Sequence, residues 1–261
     1  MSFQVIQCEQ GGEEWHLARA GRITASMFST VRAKVNGLDE KQRKYVEAIL
    51  SGKSESAARD IAGYKAAPKA ESVSLAIRNG SVDSVGEFSD VAKNYAFRLA
   101  VERISGEPLD EGYQNFAMRR GHELEPRARM EHELQSGLFV ERAGFVMTAD
   151  GVFGASADGL IDPDEGSEYK CFIAPEKLRS FWIDNDPSSV MEQAQGCMWI
   201  TGRKRWHICL YCPALESAGK QLWWQVFNRD DDFIERMEAD LIEFKGLVDQ
   251  YEQKLRLKEA A

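Results

Sequence analysis

The chain has 261 residues, of which 43% are hydrophobic and 29% are charged, an ordinary composition for a folded protein with a substantial core. Its formal net charge of −9 argues against a surface that binds nucleic acid everywhere, but it is compatible with a local basic channel. The N-terminal segment lacks a signal-peptide pattern, no apolar run is long enough to cross a bilayer, and the five scattered cysteines indicate reduced thiols, so we expect a cytoplasmic protein.

The first predicted elements lie within residues 9–30. Trp15 and Arg19 have helical spacing, and the Thr24 and Ser26 hydroxyls that follow could cap a second helix. Arg19 together with these hydroxyls and free backbone N–H groups would form a cup for a phosphate. The alternative is a plain capping motif with a solvated arginine, and the residue pattern alone favours that alternative.

Residues 38–86 predict a helical insertion of three short helices, broken by glycines at 52, 63 and 80. Its core, EAILSGKSESAARDIAGY, is similar to the helix-turn-helix of small phage terminase subunits. A small helical packing unit without any DNA contact is at least as well supported by the same pattern.

Two helices follow, over residues 87–106 and 114–136. The second carries Glu125 among several arginines, so this carboxylate could reach a metal site or could belong to a solvated face with intrahelical ion pairs. Pro126 is unfavourable inside a helix and predicts that the segment kinks or restarts between Gly121 and Glu125.

The second half of the chain alternates strands and helices, which indicates an α/β (α+β) fold. Strands are predicted within 138–173 and at 205–212 and 221–227, and helices at 187–201 and 230–258. Gln193 and Gln195 are two positions apart in the first of these helices. At most one of them can serve a site, because such a spacing does not share a helical face.

The segment FGASADGLIDPDEGSEYK carries the strongest chemical pattern. Residues 152–156 and 167–172 predict two strands that pair as a hairpin, with DPDEG as the turn. Glu168 and Lys170 would then project from one strand face, and Asp158 could lie beside Glu168. Two carboxylates and an ammonium suit a hard cation such as Mg²⁺ next to a reacting phosphate. By spacing alone, a surface hairpin with charged residues is the favoured alternative.

Five blocks, taken together and in order, resemble phage lambda exonuclease and the related YqaJ-type viral recombination nucleases. They are EQGGEEWHLARAGRITAS, RRGHELEPRARMEHE, SADGL, GSEYKC and EQAQGCMWITG. The resemblance covers most of the chain except residues 38–86. It implies one PD-(D/E)xK exonuclease domain over 1–261, with a restriction-endonuclease-like core in which a central mixed β-sheet is flanked by helices.

The resemblance also implies an activity. It is a magnesium-dependent 5′-to-3′ exonuclease that acts on double-stranded DNA ends, releases 5′-mononucleotides and leaves 3′ overhangs for a single-strand annealing protein of the Bet/RecT type. Two Mg²⁺ ions are expected, with Mn²⁺ as a substitute, because two cations can activate water and neutralise the phosphate. The family further implies a homotrimeric ring and a phage or prophage protein in the bacterial cytoplasm.

Residue roles carry over position by position. Asp158 and Glu168 match metal ligands, assisted by the backbone carbonyl of Tyr169. Glu125 would complete the metal shell directly or through water, and Lys170 would orient the attacking water.

The remaining carried-over positions concern the DNA end. Arg19, Ser26 and Ser156 match positions that hold the terminal 5′-phosphate, and Thr24 belongs to the same hydroxyl-rich segment. Gln193 would support the lysine of the chemical site.

The sequence departs from the family pattern at two places close to the site. Ala157 and Phe172 stand where the family has proline. Neither position supplies a ligand, so we expect small effects on geometry.

Two other functions remain open. An endonuclease or single-strand nuclease could use the same core, and it would need no pocket for a terminal phosphate. A non-catalytic DNA-binding or packaging accessory protein could act through residues 38–86. Digestion of closed circles would favour the first, and DNA binding without hydrolysis would favour the second.

Overall fold

The computed structural model describes residues 3–109 and 116–257. The α-helices in this part of the chain are α1 Glu13–Arg19, α2 Phe28–Arg32, α3 Glu40–Leu50, α4 Glu55–Ala62, α5 Glu71–Asn79, α6 Asp90–Ser105, α7 Phe116–Ser136, α8 Pro175–Trp182, α9 Ser188–Thr201 and α10 Asp231–Arg256. The β-strands are β1 Phe3–Ile6, β2 Ile23–Thr24, β3 Lys34–Val35, β4 Glu87–Phe88, β5 Phe145–Thr148, β6 Phe153–Ala155, β7 Gly159–Ile161, β8 Glu165–Lys170, β9 Arg205–Tyr211 and β10 Leu222–Asn228.

The chain divides into two units, Met1–Ser29 with Tyr95–Ala261, and Thr30–Asn94. In the larger unit the strands form two mixed sheets, in the orders β1-β5-β6-β2 and β10-β9-β8-β7. β8 runs parallel to β9 and antiparallel to β7. The predicted class, a mixed sheet with flanking helices, is confirmed, and the strands are divided between two sheets.

The core of the larger unit follows from hydrophobic pattern. β9 is buried along nearly its whole length, as expected for a strand with neighbours on both sides. α10 buries five side chains spaced by threes and fours, namely Ile234, Met237, Leu241, Phe244 and Val248. The Phe244 ring stacks on Tyr95 of α6, with centroids 5.8 Å apart. This packing confirms the amphipathic helix that the sequence predicts.

The smaller unit contains the three helices expected between residues 38 and 86. Asp39 accepts from the backbone N–H of Gln42 and forms a capping box at the start of α3. α4 and α5 each end at a glycine in the left-handed region, Gly63 and Gly80, both with φ of 72°. The helices enclose their own apolar cluster, which includes Tyr45, Val46, Ala58, Ala62, Val73 and Ala76.

The predicted hairpin between residues 152–156 and 167–172 is wrong. β8 forms its hairpin with β7, whereas β6 pairs with β5 and β2. The acidic turn joins β7 directly to β8, and Asp158 lies in the connection between β6 and β7. Gly159 permits this close pairing, because a Cβ there would overlap Val140 and the Ser167 hydroxyl.

Of the kink or restart predicted between Gly121 and Glu125, the restart is wrong, because α7 continues through Pro126. Pro126 is exposed, and the single lost backbone hydrogen bond is offset by packing of α7 against β8 and β9. The predicted first residue of the 114–136 helix and the predicted last residue of the 230–258 helix lie outside the described residues. Within the described ranges, no helix combines the length and apolar character needed to span a membrane.

Candidate active site

Strand β8 places an acidic and a basic residue on one face. Glu168 is 3% exposed, and Lys170 Nζ donates to its Oε1 at 2.5 Å. Gln193 on α9 closes a triangle with both residues, because its Oε1 accepts from Lys170 Nζ at 3.1 Å and its Nε2 donates to Glu168 Oε1 at 2.8 Å. Gln195 instead bonds the backbone of Asn228 and Asp230. Only the first of the two glutamines therefore serves this cluster.

Asp158 is held against the same strand. Its Oδ2 accepts from the backbone N–H of Tyr169 at 2.7 Å, which fixes the carboxylate between Glu168 and Lys170 along β8. Gln10 Nε2 lies 3.4 Å from Asp158 Oδ1 and 3.3 Å from the Ala157 carbonyl. The three charged residues that the sequence groups together thus lie together, although β7 rather than β6 is the hairpin partner of β8.

Burial controls the electrostatics of this cluster. Burial, and then repulsion from Glu125, raise the pKa of Asp158 to about 7. Burial, and then repulsion from Asp158, raise the pKa of Glu168 to about 7. Burial lowers the pKa of Lys170, but attraction to Glu168 and Asp158 outweighs it, so the net shift is upward. The lysine is therefore a charged donor. Ionising both buried carboxylates costs free energy, because they are desolvated and repel each other.

One buried carboxylate oxygen of the cluster lacks a hydrogen-bond partner among the described residues. Glu168 Oε1 accepts from Lys170 and Gln193, whereas the buried Oε2 has no hydrogen-bond partner among the described residues. Such an oxygen fits a hard divalent cation, which prefers carboxylate and carbonyl ligands. In the described ranges, no three His, Cys, Asp or Glu side chains already surround a common point. A cation would therefore be held by Asp158, Glu168 and additional oxygens.

Glu125 is close enough to the cluster to influence it but is paired elsewhere. It is buried on α7, and its Oε1 accepts from Arg129 Nη2 at 2.6 Å. Burial raises the pKa of Glu125, opposed chiefly by Arg129 and Arg142. As a metal ligand it would use its other oxygen, Oε2, directly or through water, or would exchange Arg129 for the cation.

A second group of donors converges on Ser156. Arg19 Nη1 and Trp15 Nε1 donate to Ser156 Oγ at 2.8 and 2.9 Å. The Arg19 guanidinium also covers the Trp15 ring, 4.2 Å from its centroid. Burial lowers the pKa of Arg19 from its ordinary value, so a bound anion would favour its charged form.

The two hydroxyls after α1 have different environments. Ser26 is exposed, whereas Thr24 is 3% exposed and its Oγ1 lies 3.4 Å from both Ser26 Oγ and Tyr95 Oη. Thr24 does not act as the predicted helix cap, because it precedes a 3₁₀ turn, Ala25–Met27, with no side-chain capping bond. The Thr24 hydroxyl instead contacts the Ser26 and Tyr95 hydroxyls inside the fold.

A single cleft of about 530 Å³ joins both groups. Of the site residues expected from the sequence, those on its wall are Arg19, Ser26, Glu125, Ser156, Asp158, Glu168, Tyr169, Lys170 and Gln193. Thr24 is not among the described residues that line it.

The cleft also contains residues that the sequence pattern does not predict as part of the site. Trp15 could have been found, because it lies one helical turn before Arg19 on the same face. Gln10, His122 and Lys177 have no spacing signal that links them to the acids, so only the fold brings them here.

Comparison with known proteins gives one family and several structures. The family model described as YqaJ-like viral recombinase domain matches residues 14–204, an interval that contains every expected site residue. No curated protein matches the chain significantly.

The solved structures share the fold. An alkaline exonuclease, LHK-Exo from Laribacter hongkongensis, has a TM-score of 0.63 and 23% identity, covering 94% of this chain and 96% of that one. Its complex with dAMP gives a TM-score of 0.64 at the same identity and coverage. A phage-related exonuclease from Haemophilus somnus 129PT has a TM-score of 0.55 and 15% identity, covering 90% and 96% of the two chains.

Proposed function

The chain belongs to the YqaJ-like viral recombinase family, and from this premise we propose that it is a magnesium-dependent 5′-to-3′ exonuclease of double-stranded DNA ends. The observation that carries the proposal is one cleft that contains both a buried acid–lysine cluster and a separate arginine–hydroxyl group that could bind an anion. Asp158, Glu168 and Lys170 form the first, and Arg19 with Ser156 forms the second. A nuclease that starts from an end needs both parts, whereas an endonuclease needs only the first.

The acids are suited to hold the metal. Glu168 Oε2, which lacks a partner in the described part of the chain, and the Asp158 carboxylate would bind Mg²⁺, or Mn²⁺ in its place. The Tyr169 carbonyl and Glu125 would complete the ligand set. A bound pair of such ions activates water and neutralises charge on the phosphate and the leaving oxygen.

Lys170 contributes a fixed cationic donor. An ammonium has three N–H donors, and Glu168 and Gln193 accept two of them. The third can donate to the attacking water or to a phosphate oxygen. Because Gln193 also bonds Glu168, the lysine cannot rotate freely, and this restraint orients its remaining donor.

The Arg19–Ser156 group would recognise the end. A terminal 5′-phosphate accepts charge-assisted hydrogen bonds from a guanidinium, and the exposed Ser26 hydroxyl can add another. Cleavage of the next P–O3′ bond releases a 5′-mononucleotide and leaves a new 5′-phosphate on the shortened strand. The product of each turnover therefore presents the same recognition group. The LHK-Exo complex contains dAMP, a molecule of the product class proposed here.

The wider assignment rests on the family. We propose that the protein resects DNA ends for phage-type recombination, leaving 3′ overhangs for a single-strand annealing protein of the Bet/RecT type. A homotrimeric ring in the cytoplasm of a bacterial host, built from a single exonuclease domain with residues 38–86 as an accessory insertion, completes the proposal.

The experiment uses purified protein, Mg²⁺ and linear duplex DNA with one 5′-phosphorylated end. We expect 5′-mononucleotides from the phosphorylated end, no product in EDTA, and little action on a closed circular duplex. Equal digestion of circles and linear DNA would replace the proposal with an endonuclease. DNA binding without any hydrolysis would replace it with an accessory protein.

A further inference from the structure

A chain of buried polar side chains lies beneath the acid–lysine cluster. His132 on α7 is fully buried, and His207 on β9 is 2% exposed. His132 Nδ1 lies 3.0 Å from Tyr169 Oη, His132 Nε2 lies 3.0 Å from His207 Nδ1, and His207 Nε2 lies 2.6 Å from Glu165 Oε2. Arg205 pairs with the other oxygen of Glu165. Four side chains thus form a continuous series of direct hydrogen bonds that starts at Tyr169 on β8 and returns to Glu165 on the same strand.

Direct hydrogen bonds satisfy the buried polar atoms of these side chains. The Glu165 carboxylate only accepts when ionised, so His207 Nε2 carries a hydrogen. Between the two rings, one of His132 Nε2 and His207 Nδ1 donates to the other, and the Tyr169 hydroxyl pairs with His132 Nδ1. Every ring nitrogen then has a partner, which a fully buried pair of imidazoles requires.

This series of hydrogen-bonded side chains connects the elements that carry the proposed metal ligands. Glu165 and Tyr169 lie on one face of β8, and Glu168 and Lys170 lie on the other, because side chains alternate along a strand. His132 follows Glu125 by seven positions, two turns along α7, so both point from one side of that helix. Trp224 stacks on His207 with an interplanar angle of 1° and holds the assembly from β10.

We propose that His132 and His207 are positioning residues that fix α7 against β8, and thereby hold Glu125 and the Tyr169 carbonyl where a divalent cation can use them. This inference rests on the proposed function for the identity of the cation. A purely apolar contact could join the same elements. It would not fix the rotation of α7 as directional hydrogen bonds do.

Four variants test the proposal. His132→Leu removes both hydrogen bonds, His132→Gln retains a donor for His207, and Tyr169→Phe removes one hydroxyl without altering the backbone carbonyl. Leu134→Gln is the control, because this side chain is on the same helix and 74% exposed. Each folded variant is measured by calorimetric titration with Mn²⁺ without DNA, by kcat and KM on phosphorylated ends, and by thermal unfolding.

We expect His132→Leu to weaken Mn²⁺ binding and to lower kcat by about tenfold or more, the usual effect of losing a group that supports a ligand. Tyr169→Phe and His132→Gln should show smaller losses in the same two quantities, and KM should change little because the Arg19 group is intact. If His132→Leu does not fold, Tyr169→Phe carries the test. Mn²⁺ affinity and kcat equal to those of Leu134→Gln in the folded variants would overturn the proposal.

The calorimetric measurement separates this inference from the proposed function. A wild-type protein that binds Mn²⁺ but hydrolyses no DNA would refute the exonuclease, and the Mn²⁺ affinities of the variants would still decide the role of His132. A wild-type protein that binds no Mn²⁺ would overturn both.

Discussion

Replacing Asp158 with asparagine should stabilise the metal-free protein at neutral and higher pH. The carboxylate is 8% exposed, and burial followed by repulsion from Glu125 raises its pKa from 3.8 to about 7. Asparagine has nearly the same shape and can still accept from the Tyr169 N–H, but it carries no charge. The variant therefore removes the cost of ionising a buried acid while it retains the hydrogen bond.

The size of the effect follows from the pKa difference. An acid whose pKa is higher in the folded than in the unfolded state loses stability as the pH rises between the two values. A rise from 3.8 to about 7 corresponds to a ceiling of about 4 kcal/mol at pH 8. Because local relaxation reduces such costs, we expect a gain of about 2 kcal/mol, or about 4–8 °C in Tm for a protein of this size.

Thermal unfolding in EDTA at several pH values between 4 and 8 measures this gain. It should be largest at pH 8 and should become small near pH 4, because the acid is then protonated in the folded state and partly protonated in the unfolded state. Asp249→Asn is a control for which we expect the opposite sign. Burial raises the pKa of Asp249, but hydrogen bonds from Lys245 and Arg103 outweigh burial and lower the pKa overall. Losing this carboxylate should therefore destabilise the protein at pH 8. A gain for Asp158→Asn that is absent at pH 8, or equal at pH 5 and pH 8, would refute the reasoning.

Three further predictions concern chemistry, end recognition and packing. Lys170→Ala should reduce hydrolysis by at least about a hundredfold, while DNA-end binding in EDTA, measured by fluorescence anisotropy, changes little; undiminished digestion would remove the role given to the lysine. Arg19→Lys should lower the preference for 5′-phosphorylated over 5′-hydroxyl ends by about tenfold, as measured by the ratio of kcat/KM values, and an unchanged ratio would place end recognition elsewhere. Gly166→Ala should destabilise the protein by about 1–3 kcal/mol in urea unfolding, because the new Cβ overlaps the Trp206 ring. Gly246→Ala is its control, because no described atom crowds that position in α10 and the helix should gain stability.

The features that sequence predicts well here have a local physical cause. Alternation along β8 places Glu168 and Lys170 on one face, and helical spacing separates Gln193 from Gln195. The long amphipathic pattern of α10 likewise matches its buried face. The resemblance to YqaJ-type nucleases, based on five motif blocks, is confirmed by the family match.

The features that sequence missed depend on pairing over distance. β7 is only three residues long, too short for a period-two pattern, so the sequence pattern predicts β6 as the hairpin partner of β8. Thr24 has the residue type of a cap, but the fold buries its hydroxyl near Tyr95. His132 and His207 are 75 positions apart, and no local spacing relates them. Each of these outcomes is decided by tertiary contacts.

The central claim is that Asp158 and Glu168 bind a divalent cation beside Lys170. Anomalous diffraction from a crystal soaked in Mn²⁺ tests it most directly, with Asp158→Asn crystals soaked in parallel. We predict an anomalous peak within bonding distance of both carboxylates in the wild-type protein and a weaker or absent peak in the variant. An empty cleft in the wild-type crystal, or a peak away from these two residues, would contradict the account.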